Sequence, residues 1–527
     1  MFPSIPSPWR GSVLLALLAS VAGAPRFVWQ DTPATPVSPL PIGINLRPIT
    51  PFDSSLVFAD AMKMASEWSF EVGGRQRPTV RQHGLNGKPT PVQEVVPLDA
   101  NGWPRVSGDR AVSCQFFVGM RGRFPAGEYV VTWKGKGTLE FRGGVGIVSQ
   151  APNRLVVEVD GVNGGQPGLE LSNMDPADPI RDIRVWLPGH EDSCHSFHPL
   201  FLERLRPFSV LRFYPWMKVY STSGRWSERS TLFSARQGSG EGVAAEFMVE
   251  LCNELTSDPW FCMPHLADDD YVRRFALLVR DSLRHDARVY VEFSNETWNT
   301  DYAAGKWARE QSQLRGIPAM KIVAERAAQV FDIWHEVFGS QKNRIVRVAG
   351  VQLHNPGIAN VLCRALDGKF DAMALGTYFG ARADRDDVGT DSTAQELMAA
   401  ARANLVDAVL PRTADHRALA DTLGSELGRH IALLTYEGGQ SIVARSPGGG
   451  LGVQATLDCQ VLPEMFTAYR DLIEGVTQAG VELFVAYDFT GPRGSADTFS
   501  VLEYIDEPIA NAPKYRALIQ GWESRGQ

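Results

Sequence analysis

Residues 289–299 read VYVEFSNETWN. From Val289 to Phe293 the stretch is β-branched, aromatic or apolar apart from Glu292, the composition of a buried strand. Asn295, Glu296 and Trp298 follow at once. A strand that is apolar along its length and polar at its end suits a parallel sheet whose strand ends face a site. Glu292 lies four residues before Glu296, and alternation puts both on one face. Glu292 sits deeper in the strand, where a structural role is expected.

The same design recurs on both sides. SVLRFYPW (209–216) precedes a helical pattern around 242–255, and WFCMPHL (260–266) one at 268–283. The quoted strand leads into a long helical region reaching about 338. RIVRVAGVQLH (344–354), FDAMALGTYFG (370–380), HIALLTYEGG (430–439) and VELFVAYDFTG (481–491) each precede further helical segments. Upstream, IGINL (42–46) and FADAMKMASEW (58–68) form one more strand–helix pair. Seven units and one give the eight of a (β/α)8 TIM barrel, an α/β fold. No GxGxxG follows any of these strands, which argues against an open dinucleotide-binding sheet.

Between the first and second units the pattern changes. GEYVVTWKG, TLEFRGG, RLVVEVD and IRDIRVWLPG fall at short intervals with turn residues between them. This predicts an all-β, sandwich-like domain over 75–190, inserted after the first barrel strand. Residues 42–74 then hold the first barrel strand and helix, and 191–527 the rest of the barrel.

The chain has 527 residues and a net charge of −8. It contains no long basic run, which excludes the electrostatic footprint of a nucleic-acid partner. Arg10 followed by GSVLLALLASVAGA reads as a signal peptide over 1–24, and 25–41 as a Pro/Thr-rich tether. The expectation is a secreted or periplasmic protein with no membrane span once the signal is removed. Of the six cysteines, Cys252 and Cys262 are near enough in sequence to pair.

Barrel chemistry sits at the C-terminal ends of strands. There the sequence places Asn45, Arg212, Trp216, His265, Asn295, Glu296, His354, Tyr378, Glu437 and Tyr487. Glu296 and Glu437 stand out. Two carboxylates across one site can cleave a glycosidic bond, one protonated to serve the leaving oxygen and one ionised to attack or to activate water. Asn295 suits a sugar 2-hydroxyl. Arg212 and Tyr378 suit an ionised carboxylate, by charge and by donation. Trp298 and Trp216 offer flat faces for sugars, and Gly438 and Gly439 would let substrate approach the backbone. Asp268–Asp270 fit a helix cap. His190, Cys194, His195 and His198 match no familiar zinc spacing, so neither metal nor cofactor is expected.

SNE after the fourth strand and TYEGG at the end of the seventh resemble the paired glutamates of glycoside hydrolase clan A, the 4/7 superfamily. Arg212, His265 and Tyr378 match that clan's pattern as well. The resemblance covers roughly 200–520 plus the first strand. It implies a retaining double displacement, with Glu296 as acid/base, Glu437 as nucleophile and Asn295 on the 2-hydroxyl; the substrate does not carry over, and the leading reading is a secreted glycoside hydrolase acting on a β-linked polysaccharide or oligosaccharide. Arg212, His265 and Tyr378 would support them. The sequence departs from the clan in VAYDFTG, where Tyr487 stands near the usual Trp, and in Asn-Glu-Thr for Asn-Glu-Pro. The alternative is a carbohydrate-binding protein that keeps the barrel and has lost turnover. An esterase is disfavoured, since no GxSxG occurs in the barrel half.

Overall fold

The computed structural model describes residues 40–520 apart from 73–74, 77–93, 109, 145, 162–164, 192, 222, 239, 447–448 and 496. The expected signal peptide and nearly all of the tether lie outside the described residues.

Eight parallel strands form the central sheet. They are β1 (Ile42–Asn45), β2 (Val210–Arg212), β3 (Asp258–Met263), β4 (Val289–Phe293), β5 (Ile345–Val351), β6 (Ala372–Phe379), β7 (Ala432–Gln440) and β8 (Phe484–Ala486). Their order around the sheet is the order of the chain, with β8 beside β1. A parallel bridge between Leu434 and Leu483 nearly closes the ring, and the Thr435 amide donates to Leu483 O at 2.9 Å. This is the TIM-barrel arrangement. All five residues of β4 are buried, as the opening stretch requires of a strand flanked on both sides.

A short helix, Pro199–Leu205, leads into β2; of the longer helices, α1 (Ala245–Leu255) follows β2 and α2 (Asp269–Ser282) follows β3. Asp268 caps α2 by accepting from the Tyr271 amide at 2.8 Å, and Asp269 and Asp270 occupy its first turn. The long helical region after β4 is two helices, Ala303–Arg315 and Ala319–Phe338. The break falls at Gly316, left-handed at φ 68°, and Pro318, which lacks the amide to continue the first helix.

The helix expected over 58–68 does not form. That segment holds one 3-10 turn, Ala61–Met64, and the α-helix between β1 and β2 comes only after the β-rich segment, at Pro199–Leu205. Phe58 to Ala65 are all buried, and an amphipathic helix needs a wet face that this segment lacks. Its backbone pairs instead with the returning chain. The Ala59 amide donates to Ser196 O at 3.0 Å, and Leu187 N donates to Ala59 O at 3.0 Å.

Two antiparallel sheets lie in sequence between β1 and β2. One contains Ser69–Val72, Val112–Gln115, Thr138–Arg142 and Gly168–Ser172. The other contains Gly127–Lys134, Gly146–Ala151, Arg154–Val159 and Arg181–Trp186. The rings of Tyr129 and Phe141, one from each sheet, are 6.1 Å apart. The inserted sheets and the barrel belong to one compact unit, Val37–Gln527. Among the described residues, no helix is long and apolar enough to cross a membrane.

All six cysteines are free thiols. The suggested Cys252–Cys262 bridge is absent. Cys252 lies within α1, whereas Cys262 lies in β3 and donates its thiol to Glu292 at 3.3 Å.

Candidate active site

Arg212, the last residue of β2, is 0% exposed and forms the hub of the open end. Its Nε and Nη2 donate to Glu292 Oε2 at 3.2 and 2.9 Å. Nη2 also reaches Asn295 Oδ1 at 2.7 Å. Nη1 donates to Asn45 Oδ1 at 3.0 Å and Glu437 Oε1 at 3.1 Å. The rigid fork of a guanidinium can hold four side chains from β1, β4 and β7 in one plane of donors, which an ammonium cannot.

Glu437 is 5% exposed. Its second oxygen accepts from Tyr378 Oη at 2.8 Å. Burial pushes Glu437 up to about 8, against the pull of Arg212. The neighbouring Glu296 carboxylate raises it further, Tyr378 donation draws it down, and Glu292 raises it. Glu296 stands just past β4 and is half-buried. Tyr436 Oη donates to its Oε1 at 3.2 Å, and Asn299 Nδ2 to its Oε2 at 3.1 Å. Ser294 and Glu296 both adopt left-handed backbone, at φ 59° and 43°. Such conformations cost non-glycine residues about 1–3 kcal/mol each and cluster where a side chain must be aimed.

Asn295 is clamped on two sides. Its Nδ2 donates to Tyr220 Oη at 2.8 Å, and Tyr220 Oη donates to the Asn295 carbonyl at 3.1 Å. The Tyr220 ring is stacked on Tyr302, with centroids 4.9 Å apart. Tyr487 and Phe499 pack edge-on against Tyr378, and Tyr214 Oη donates to Tyr487 Oη at 3.1 Å. Trp298 is half-buried, 6.2 Å from Tyr436. Arg212, Asn295, Glu296, Tyr378, Glu437, Tyr487 and Trp298 are thus brought together.

Of the other expected site residues, Asn45 touches the hub through Arg212 and the rest stand apart. Trp216 is 1% exposed and donates its indole N–H to Arg47 O at 2.8 Å, so it is a core anchor and offers no face to a sugar. Asn45 is also fully buried. Its amide donates to the Tyr436 and Ala486 carbonyls while accepting from Arg212, so it is a strut between strands. His265 points its Nδ1 at Val219 O, 3.0 Å away, and packs near Trp307. His354 is exposed beyond β5, away from the two glutamates' hydrogen-bond partners. Gly438 and Gly439 serve packing instead of substrate approach. An added Cβ would stand 2.6 Å from the Phe484 ring and 2.6 Å from Tyr469 Oη, respectively. Among the described residues, no group of three His, Cys, Asp or Glu could hold a metal. His198 caps the helix that begins at Pro199, accepting from the Leu200 amide at 3.2 Å.

No family model and no curated protein matches this sequence. Among solved structures, the chain is similar to a GH51 arabinofuranosidase from Xanthomonas axonopodis pv. citri. The identity is 15%, the TM-score 0.35, and the match covers 57% of this chain and 62% of that one. A family 51 alpha-L-arabinofuranosidase from Bifidobacterium longum is 12% identical, with a TM-score of 0.40 and coverage of 61% and 66%. A Bacteroidetes-affiliated GH5 cellulase is 12% identical, with a TM-score of 0.38 and coverage of 64% and 89%.

Tyr436 and Tyr220, which the sequence sets at a strand end and in a rim loop, make contacts here that their positions alone do not give. Tyr436 is adjacent to Glu437 in sequence, and strand alternation would turn it away. Pairing between β6 and β7 shifts from Leu375↔Thr435 to Gly376↔Glu437, which leaves Tyr436 as an extra residue. Tyr220 lies in the loop after β2, whose aromatics the sequence places at the rim of a cleft, and its hydroxyl is spent on Asn295. The two adjacent glycines after Glu437 were the one local signal that β7 is irregular.

Proposed function

We propose that this chain is an exported, retaining glycoside hydrolase of clan A type acting on a β-linked polysaccharide or oligosaccharide. The observation that carries the reading is the contrast between two nearby carboxylates. Glu437 is buried between a guanidinium and a phenol, whereas Glu296 is half-exposed and meets only neutral donors. Different surroundings assign different roles to like groups.

Glu437 attacks the anomeric carbon, and the bond to the leaving oxygen breaks as that oxygen takes the proton of Glu296. Water then attacks the same carbon and gives a proton to Glu296, and Glu437 is released. A proton on Glu296 removes the charge that helps keep Glu437 neutral. Arg212 and the Tyr378 hydroxyl also pull Glu437 toward its ionised form. Arg212 holds Glu437 and Asn295 in register, Asn295 meets the 2-hydroxyl, and Tyr487 and Trp298 contribute aromatic walls. We read the two inserted sheets as a sandwich-like brace for the barrel.

Hydrolysis of a panel of p-nitrophenyl β-glycosides and β-linked polysaccharides tests this. The wild-type chain should release product with retained anomeric configuration by NMR, and Glu437→Gln and Glu296→Gln should each abolish turnover of the polysaccharide. Inverted product, or undiminished activity in either variant, would overturn it. Burial that holds Glu437 up to about 8 favours a second reading, a carbohydrate-binding protein without turnover, because a neutral carboxyl does not attack. That reading expects no hydrolysis and unchanged glycan binding in Glu437→Gln.

A further inference from the structure

Tyr436 and Glu437 are consecutive, yet they serve opposite halves of the site. Tyr436 Oη donates to Glu296 Oε1, while Glu437 accepts from Arg212 and Tyr378. The extra residue in β7 is what allows both side chains to turn inward. Bulges re-aim side chains in this way. Room for the phenol comes from Gly376 on β6, where an added Cβ would stand 2.8 Å from Tyr436 Oη. The tyrosine is 2% exposed, with the Arg212 guanidinium 5.1 Å from its ring centroid.

We propose that Tyr436 is a positioning residue for Glu296, and that the bulge at Tyr436 spaces Glu296 from Glu437. The acid/base role of Glu296 is taken from the function proposed above. Both oxygens of Glu296 are held, one by Tyr436 and one by Asn299. Hydrogen bonds to a carboxylate favour its ionised form. In the second half-reaction that form must accept a proton from water, and the Tyr436 and Asn299 contacts fix the orientation in which it does so. The titratable groups around Glu296 are Tyr436 and Glu437 on β7, Tyr220 from the loop after β2, and Tyr302 on the loop of Glu296 itself. Of these four, Tyr436 reaches it by a hydrogen bond.

The test is a carbon-13 carboxyl NMR titration of the full chain, with the Glu296 resonance identified by its loss in Glu296→Gln. Tyr436→Phe should raise the Glu296 midpoint by about one pH unit, the worth of one hydrogen bond to a charged group. Where the chain turns over a glycoside, the alkaline limb of kcat/KM should rise with it. A folded Tyr436→Phe protein with an unmoved Glu296 midpoint would overturn the proposal. Gly376→Ala, which displaces the hydroxyl and keeps it in the chain, must shift the midpoint the same way, and it decides the matter if Tyr436→Phe does not fold. The titration needs no substrate. A chain that hydrolyses nothing but shows the shift would defeat the glycosidase reading and leave the positioning role standing.

Discussion

Arg212 Nη1 lies 3.1 Å from Glu437 Oε1, with no part of the guanidinium open to solvent. The same cation also serves Glu292 at 2.9 Å, so one buried positive charge faces two carboxylates. Removing one partner from such a cluster leaves charges uncompensated, which typically costs about 3–5 kcal/mol. Arg212→Met, which removes the cation, should therefore lower stability in urea unfolding by an amount in that range, and Arg212→Lys, which keeps it, by less. Arg212→Lys should also reduce turnover by more than the loss of folded protein explains, because lysine cannot hold Glu437 and Asn295 together.

Glu437 sets a pH dependence of stability whose sign follows from its raised pKa. The folded protein keeps this proton up to about pH 8, whereas an unperturbed glutamate loses it near 4.5. Between those values the folded state binds more protons, so this group's contribution falls as pH rises. Glu437→Gln removes the effect. The variant should be more stable than wild type at pH 9, by on the order of a few kcal/mol, with most of that difference gone at pH 4. Urea unfolding at the two pH values measures it, and equal differences at both would contradict the assignment.

Tyr378 donates to Glu437 and so favours its ionised form. In Tyr378→Phe, Glu437 should need a higher pH to ionise. The acidic limb of kcat/KM should move up by about one unit and the alkaline limb should stay. A pH–rate profile separates this from a general loss of packing, which would lower the curve without moving its limbs.

Cysteine reactivity should be confined to one position. Cys194 is exposed, and the other five thiols are buried. Burial pushes Cys114 and Cys363 up to about 12, far from the reactive thiolate. A thiol-specific chromogenic reagent should modify one cysteine in the native chain and six in denaturant. Fewer than six in denaturant would reveal a disulfide.

The βα alternation from 195 onward was legible because each strand is a short apolar run flanked by turn residues, and each helix carries its own period. Helix ends were legible wherever their signals were local, as at Asp268 and at Gly316–Pro318. The segment after β1 was misleading. Its helical spacing is real, but burial on every side by the returning chain at 185–198 overrode it. Asn45 closes β1 and Trp216 lies four residues past β2, and both spend their polar groups internally, since position along the chain does not say which hydrogen bonds a side chain will make.

From its own residues, then, the sequence determined the barrel's strand count, the β-rich insertion, and the carboxylates at the ends of β4 and β7. These depend on composition and periodicity, which are carried within a few residues of chain. Only the tertiary structure decided that one guanidinium joins Glu292, Glu437, Asn45 and Asn295, that Trp216 is spent in the core, and that Tyr436 turns toward Glu296. Those outcomes depend on contacts between residues tens to hundreds of positions apart, and on a single extra residue in the pairing of β6 with β7. Local pattern carries no record of either.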